Sequence, residues 1–411
     1  MITGFDIVCL STSAWAAPYG SRQELMSRLA RENRVLFVEY QASWLHPLRY
    51  PRLRRSGGWE PGRLRHVAER LWVYTPPLGV PGGLLVGAVN RWNQSWLLQA
   101  LRKIMRQLNF TRPLLWIYPP YVEPLVGRLG EVLSVYHCID AFDQERASSR
   151  SRRWMSEYEQ RLLRQCHVVM ACSAQLCSKL KRWRPDALLL PPGVDVAMFN
   201  PARQFEEPEE LRGAARPVVG YAGSIDHRVD VELLERVAHA FAHGTILLVG
   251  PVHERVQVQR LRQLPNIRLT GPKPKEVLPA YLQYMDVCLI PYRVTPFTQV
   301  ILPLKFFEYL AMERPIVSTL LPELQPYASA IRLAHNGGEF IAAIRSTLEQ
   351  NAVRSTNGSW RGTPSLTSWD TQVERISAAI EGRLASLAAD TDAQRLRRLP
   401  QDAAMASQDT P

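Results

Sequence analysis

Lys305 and Glu308 stand three residues apart in Pro303-Leu304-Lys305-Phe306-Phe307-Glu308-Tyr309-Leu310-Ala311, where Leu304, Phe307 and Ala311 make one apolar helical face. A helix with Pro303 at its first position presents the two charged side chains together on another face. An ammonium at a helix N-terminus joins the free backbone N–H groups in holding a diphosphate, and a carboxylate one turn on can accept both hydroxyls of a ribose. The same spacing equally fits a surface ion pair. A second group is Tyr136-His137-Cys138-Ile139-Asp140, in which His137 and Asp140 could deprotonate or orient a hydroxyl. Its other reading is a structural histidine in an apolar run, with Asp140 and Asp143 as helix-capping residues after a strand.

These groups need elements to hold them. Phe5 to Leu10 predicts a buried strand, and Ser21-Arg22-Gln23-Glu24 a capping box opening a helix with Leu25, Met26, Leu29 and Ala30 inward. Val35 to Val38 is the next strand, so the chain opens as a strand-helix-strand unit of a parallel sheet. Gly20 and Ser21 lie at its first turn, where a ligand-facing backbone favours glycine. Strands follow at 114–118, 134–136 and 168–172. The pattern restarts after a charged, proline-containing stretch, with strands at 217–221, 246–249, 267–269, 287–290 and 315–318 and helices near 233–241 and 277–282. The fold class is α/β with two Rossmann-like domains: 1–197, a linker at 198–216, and 217–363. A helix at 364–387 returns toward the first domain, and a disordered tail is expected from 388 to 411. Sheets facing across a cleft put their carboxyl ends around one ligand.

A chain of 411 residues, 46% hydrophobic and 21% charged, suits two soluble globular domains, and no stretch reaches the roughly 20 apolar residues of a spanning helix. Met1 to Leu10 lacks the form of a signal peptide, so a cytoplasmic location is expected. The six cysteines include no CxxC pair and read as reduced core residues; Cys166, His167 and Cys172 match no familiar zinc spacing. The net charge of +12 is uneven, with Arg49, Arg52, Arg54, Arg55, Arg63, Arg65 and Arg70 in one stretch. With an amphipathic segment at Leu97 to Leu108, that stretch predicts contact with an anionic membrane surface, or else a solvated loop. No nucleic-acid module is present, and GxGxxG is absent after the first strand of either domain, which sets aside nucleic-acid binding and nicotinamide chemistry.

The segment from Pro303 to Pro322, PLKFFEYLAMERPIVSTLLP, resembles the donor-binding helix and following strand of glycosyltransferase family 4 and its relatives, which have the GT-B fold. Pro192-Gly193-Val194-Asp195 with Phe199-Asn200-Pro201, Val219 to Ser224, and Asp286 to Pro291 are similar to further family segments in the same order. Tyr136 to Asp140 and Gly223 to Asp230 are nearest to the subgroup that makes teichuronic acid and other surface polysaccharides. The resemblance implies a hexosyltransferase-type enzyme that moves a sugar from a nucleotide sugar to a hydroxyl of a saccharide or lipid-linked acceptor, with retention of anomeric configuration. It implies donor binding by Gly223, Ser224, Leu304, Lys305 and Glu308, with Glu308 on the ribose and Leu304 and Lys305 beside the diphosphate. The family's second glutamate falls at Val300, and its usual cations fall at Ser224 and Val229. Arg228 is the nearest replacement, and Lys273 a weaker one. Arg228 and Lys305 could meet the charge of the departing diphosphate without a metal, and no cofactor is expected. His137, Asp140, Gly20 and Ser21 are the acceptor-side candidates. A sugar-nucleotide epimerase or hydrolase of the same fold, or a non-catalytic nucleotide-sugar-binding protein, is the alternative. Glu313 stands where relatives carry glycine, which predicts a positive φ.

Overall fold

A computed structural model of the chain describes residues 1–17, 19–45, 60–144, 148–354 and 366–397; the side chains of 352–354 and 391–397 are not included. Arg49, Arg52, Arg54, Arg55 and the last fourteen positions, 398–411, therefore lie outside the described residues.

The first domain runs β1 (Asp6–Leu10), α1 (Ser21–Leu29), β2 (Arg34–Val38), β3 (Leu64–Ala68), β4 (Leu71–Tyr74), α2 (Gly87–Gln107), β5 (Leu114–Ile117), β6 (Leu133–Cys138), α3 (Ser149–Gln165), β7 (Val168–Ala171), α4 (Ala174–Lys181) and β8 (Leu188–Leu189). Its sheet has the order β3-β4-β2-β1-β5-β6-β7-β8, parallel except for β3 against β4. The central strands are buried on both faces, which is why they are continuous apolar runs in the sequence. The hairpin β3–β4 goes beyond the strands that the sequence predicts. It falls in the arginine-rich stretch, where Arg65 turns inward onto the buried carboxylate of Glu39 (2.8 Å) and Arg63 pairs with Glu60 (2.8 Å).

The second domain runs β9 (Val218–Ala222), α5 (Val231–Ala240), β10 (Thr245–Val249), α6 (Gln259–Gln263), β11 (Ile267–Gly271), α7 (Leu278–Gln283), β12 (Val287–Ile290), α8 (Pro296–Gln299), α9 (Leu304–Ala311), β13 (Ile316–Thr319), β14 (Arg332–Ala334) and α10 (Gly337–Arg354). The order β11-β10-β9-β12-β13-β14 is all parallel, and it reverses direction between β9 and β12. In the first sheet the reversal lies between β1 and β5. Ligand sites of such sheets open at these reversals, beyond the carboxyl ends of the strands.

Helix α11 (Trp369–Arg397) packs on the first domain, with Trp369, Val373, Ile376 and Ile380 buried beside Leu25, Met26 and Leu29 of α1. It continues past Leu387, where the sequence predicts a tail, because its second half is rich in helix-favouring alanine, leucine and arginine. The connection at 198–216 is likewise better anchored than its charge suggests, since Phe199 and Leu211 are buried in the second core. Helix α1 starts on Gly20 as its N-cap, and Gln23 returns its side chain to the Gly20 N–H (3.2 Å). Ser21 is thus already helical, and Glu24 is left free for another task. Pro303 is the N-cap of α9 and not its first helical residue.

Helix α9 stops at Ala311, and Glu313 has φ 52°, the left-handed conformation expected there. A side chain in that region is strained where glycine is not. Glu313→Gly is expected to stabilise the protein by up to about 1 kcal/mol in urea titration. A loss of stability would mean that the glutamate side chain contributes more than the backbone strain costs.

Candidate active site

The carboxyl end of β9 turns at Gly223, with φ 138°, and a Cβ there would overlap Nζ of Lys305. Gly250, at the end of neighbouring β10, has φ 139°, and its Cβ would run into the Gly223 carbonyl. The two glycines let backbone, backbone and ammonium stack closely. Ser224 holds the turn by accepting from the Tyr221 hydroxyl at its carbonyl (2.7 Å).

Lys305 and Glu308 are both buried on α9, which rules out a surface pair. The Lys305 ammonium sits 3.6 Å from the centroid of the Tyr221 ring, and among the described residues no carboxylate comes within ion-pair distance of it. Burial pushes its pKa well below the usual lysine value, and the nearby Arg228 pushes it further, against Asp226 and Glu308. Glu308 is 9% exposed; burial raises its pKa, opposed by Lys275 and then Lys305. Leu304, half-buried, packs against the core of the first domain.

Arg228 is held by Asp226, with Nε 2.9 Å from Oδ1, and lies 5.7 Å from the Tyr292 ring. Val229, where relatives place a cation, is buried in the core. Lys273 bonds to Glu210 and faces the Tyr281 ring, so it is committed inside its own domain. The lysine that this loop sends to the site is Lys275, whose Nζ is 3.9 Å from Oε1 of Glu308. Sequence reasoning misses it, since two lysines two residues apart carry no signal for which one turns inward.

Across the cleft, Ser21, His137 and Asp140 share one cavity of about 150 Å³ with Arg22, Arg228 and Trp369. Asp140 and Arg228 also line a larger cleft of about 1420 Å³, together with Thr12, Arg22, Phe142 and Phe297. His137 is 2% exposed on β6, and among the described residues neither ring nitrogen has a hydrogen-bond partner. Burial first, then the Arg22 charge, lowers its pKa to about 3, so the ring is neutral at ordinary pH. Gly20, Gly223, Ser224, Leu304, Lys305 and Glu308 lie outside the linings of both cavities. Val300 presents only its carbonyl, which accepts from the Ser173 hydroxyl of the other domain (2.7 Å), while its side chain packs against the first domain's core. Beside it Glu323 accepts from the backbone N–H groups of Ala174 (3.0 Å) and Gln175 (2.7 Å) at the start of α4. All six cysteines are free thiols.

Residues 216–350 match the family described as Glycosyl transferases group 1. A protein of Bacillus subtilis (strain 168), provisionally named as the teichuronic acid biosynthesis glycosyltransferase TuaH, is 28% identical over 261 residues. The match covers 59% of this chain and 65% of that relative's length, just under two thirds of it. Sucrose-phosphate synthase from Thermosynechococcus elongatus superposes with a TM-score of 0.70 at 17% identity, covering 93% of this chain and all (100%) of that one. Anabaena Alr3699/HepE, solved in complex with UDP-glucose, gives 0.64 at 13% identity over 92% and 100%. The whole chain thus adopts the GT-B fold, and its residues 216–350 form a glycosyl transferases group 1 domain.

Proposed function

We propose that the protein is a glycosyltransferase that moves a sugar from a nucleotide sugar to a hydroxyl of a saccharide or lipid-linked acceptor, in surface polysaccharide synthesis. The observation that carries this reading is the pairing on α9 of a buried ammonium lacking a carboxylate partner with a buried carboxylate, beside the sheet reversal and the Gly223 turn. A buried cation in want of an anion suits a diphosphate, and Glu308 suits the ribose hydroxyls. The Bacillus relative's name supports the polysaccharide setting, and the UDP-glucose complex of HepE supports the donor class.

In the transfer, the bond from the anomeric carbon to the diphosphate oxygen breaks and a bond to the acceptor oxygen forms, with retention. The electron pair leaves on the diphosphate, where Lys305 and Arg228 meet its charge without calling on a metal. The acceptor hydroxyl loses its proton. His137, being neutral and a weak base, fits a hydrogen-bonding role better than proton removal, which leaves Asp140 as the basic group of this wall. A thermal-shift series with UDP-, GDP- and ADP-sugars tests the reading. One of them is expected to raise the melting temperature with a saturating concentration dependence, and no response to any would overturn the donor site.

The acceptor side also supports peripheral contact with the inner face of a membrane, though by other residues than the sequence suggests. Leu97, Leu98, Leu101, Ile104 and Met105 of α2 are buried in the first core and cannot face lipid. The exposed apolar groups are Trp92 (52% exposed) and Trp96 (42%) one turn apart on α2, with Leu85 and Val86 just before it. Trp44 and Leu45 are exposed nearby, on a segment tied to Gly79, whose neighbour Val80 bonds to Asn93 of α2. Exposed tryptophans suit a bilayer interface, and Trp44 precedes the arginine-rich stretch in the sequence. Among the described residues no helix is long and apolar enough to cross a membrane. The wild-type protein is expected to sediment with phosphatidylglycerol-containing liposomes at low salt, and Trp92→Ser/Trp96→Ser to remain in the supernatant. Equal sedimentation of both would remove the tryptophans from this role.

A further inference from the structure

Lys275 is 6% exposed, and groups from three parts of the chain surround it. Its ammonium hydrogen-bonds to the carboxylate of Glu24 on α1, in the other domain. It lies 5.3 Å from the Tyr19 ring, also of that domain, and 5.6 Å from the ring of Phe199 in the connection. Toward Glu308 it stands at 3.9 Å, close enough for attraction and too far for a hydrogen bond. Glu24 is anchored in turn by Arg28, which reaches Asp195 (3.0 Å) at the domain junction and Asp370 (3.5 Å) on α11.

We propose that Glu24 holds the Lys275 ammonium back from Glu308 across the domain boundary, so that Lys275 is a positioning residue through which the contact between the domains prepares Glu308 for the ribose. The inference rests on the donor reading above. Glu308 must remain ionised in a buried place, and Lys275 is the strongest influence opposing its protonation. It must also keep its oxygens open for two hydroxyls, and a lysine bonded directly to it would occupy them. Both conditions are met when a second carboxylate takes the ammonium's hydrogen bond, and that carboxylate belongs to the other domain.

The test uses the full-length protein and the tightest binder among UDP, GDP and ADP, compared by calorimetry with its 2′,3′-dideoxy analogue, which lacks the hydroxyls Glu308 would accept. Wild type is expected to prefer the ribose form. Glu24→Gln should cut affinity for the ribose form by roughly tenfold while leaving the dideoxy form nearly unchanged. In a Lys275→Met background the same Glu24 change should have no further effect, because the group it positions is gone. Should Glu24→Gln lose its fold, Glu24→Asp, which keeps the charge and shortens the reach, carries the same comparison. A Glu24 variant that discriminates ribose as wild type does, or that weakens both forms equally, overturns the proposal and leaves the donor site standing. A wild type that binds both forms alike removes Glu308 from the ribose, and the donor reading fails first.

Discussion

Glu308→Gln is expected to lower nucleotide-sugar affinity by about 1.5 to 3 kcal/mol while the protein melts no lower than wild type at neutral pH. The two halves of that expectation have separate causes. An ionised carboxylate offers two oxygens to the ribose hydroxyls. The amide offers one oxygen and turns an NH₂ toward the other hydroxyl, so one charge-assisted bond is weakened and one is lost. Stability moves the other way, because burial raises the folded pKa of Glu308 above its unfolded value. The unfavourable contribution of the ionised group therefore grows as pH rises from the unfolded toward the folded pKa, and it is absent where both states are protonated. Gln removes it, so any gain in melting temperature should be present at pH 7 and vanish in acid. Calorimetry and melting curves at both pH values check this. Unchanged affinity in a folded Gln variant would take Glu308 out of the donor site.

How much of this site is visible in the sequence depends on the range of the contacts that build it. The buried strands are legible because a parallel sheet covered on both faces demands apolar runs such as Val287 to Ile290 and Val168 to Ala171. The left-handed Glu313 is legible because a helix ending before Arg314-Pro315 needs a particular backbone turn. The hairpin β3–β4 is not, since Leu64 to Ala68 is half exposed and charged, and only its pairing with β4 makes it a strand. Glu24 looks like part of a capping box by spacing, yet its partner is Lys275, 251 positions away. Nothing local distinguishes Lys275 from Lys273, which faces Glu210 instead. The surface reading of Leu97 to Leu108 fails for a related reason: a helical stripe tells that one face is apolar, and not whether that face meets a core or a membrane.

Val300, where the resemblance would place a second glutamate, also has a physical setting. Phe297 and Val300 lie against the apolar core of the first domain, and the Val300 carbonyl is taken by Ser173. A carboxylate at Val300, a half-buried position, would meet that apolar surface and lose part of its hydration. The neighbouring acid of the second domain, Glu323, is already engaged with the start of α4. This segment of the chain is thus committed to joining the domains, and in the proposed donor site charge recognition falls to Lys305, Arg228, Lys275 and Glu308.

Lys305→Met is expected to weaken binding of nucleoside diphosphate while sparing nucleoside, and to leave the protein at least as stable as wild type. The buried ammonium is unfavourable in the free protein, because its folded pKa lies well below the unfolded lysine value. Its cost is fully present below the folded pKa and shrinks as pH rises toward the unfolded one, so a stability gain from Met should be largest on the acid side and fade in alkali. The Tyr221 ring offsets part of this cost, by up to about 2 kcal/mol for a desolvated cation, which limits the gain. Among the described residues no carboxylate is within ion-pair distance of the ammonium, and in the proposed site a diphosphate laid along the Gly223 turn supplies the anion. Binding should then raise the lysine pKa, so wild-type affinity for nucleoside diphosphate should fall as pH rises through the lysine pKa of the free protein. Calorimetry in two buffers of different ionisation enthalpy across that pH range reads the proton taken up by the lysine, and the Met variant should lack that part of the uptake. Its loss of diphosphate affinity should be roughly tenfold to a hundredfold, the range of a charge-assisted hydrogen bond. A Met variant that binds nucleoside diphosphate as wild type does would sink the assignment of Lys305 and leave Arg228 as the only cation for the leaving group.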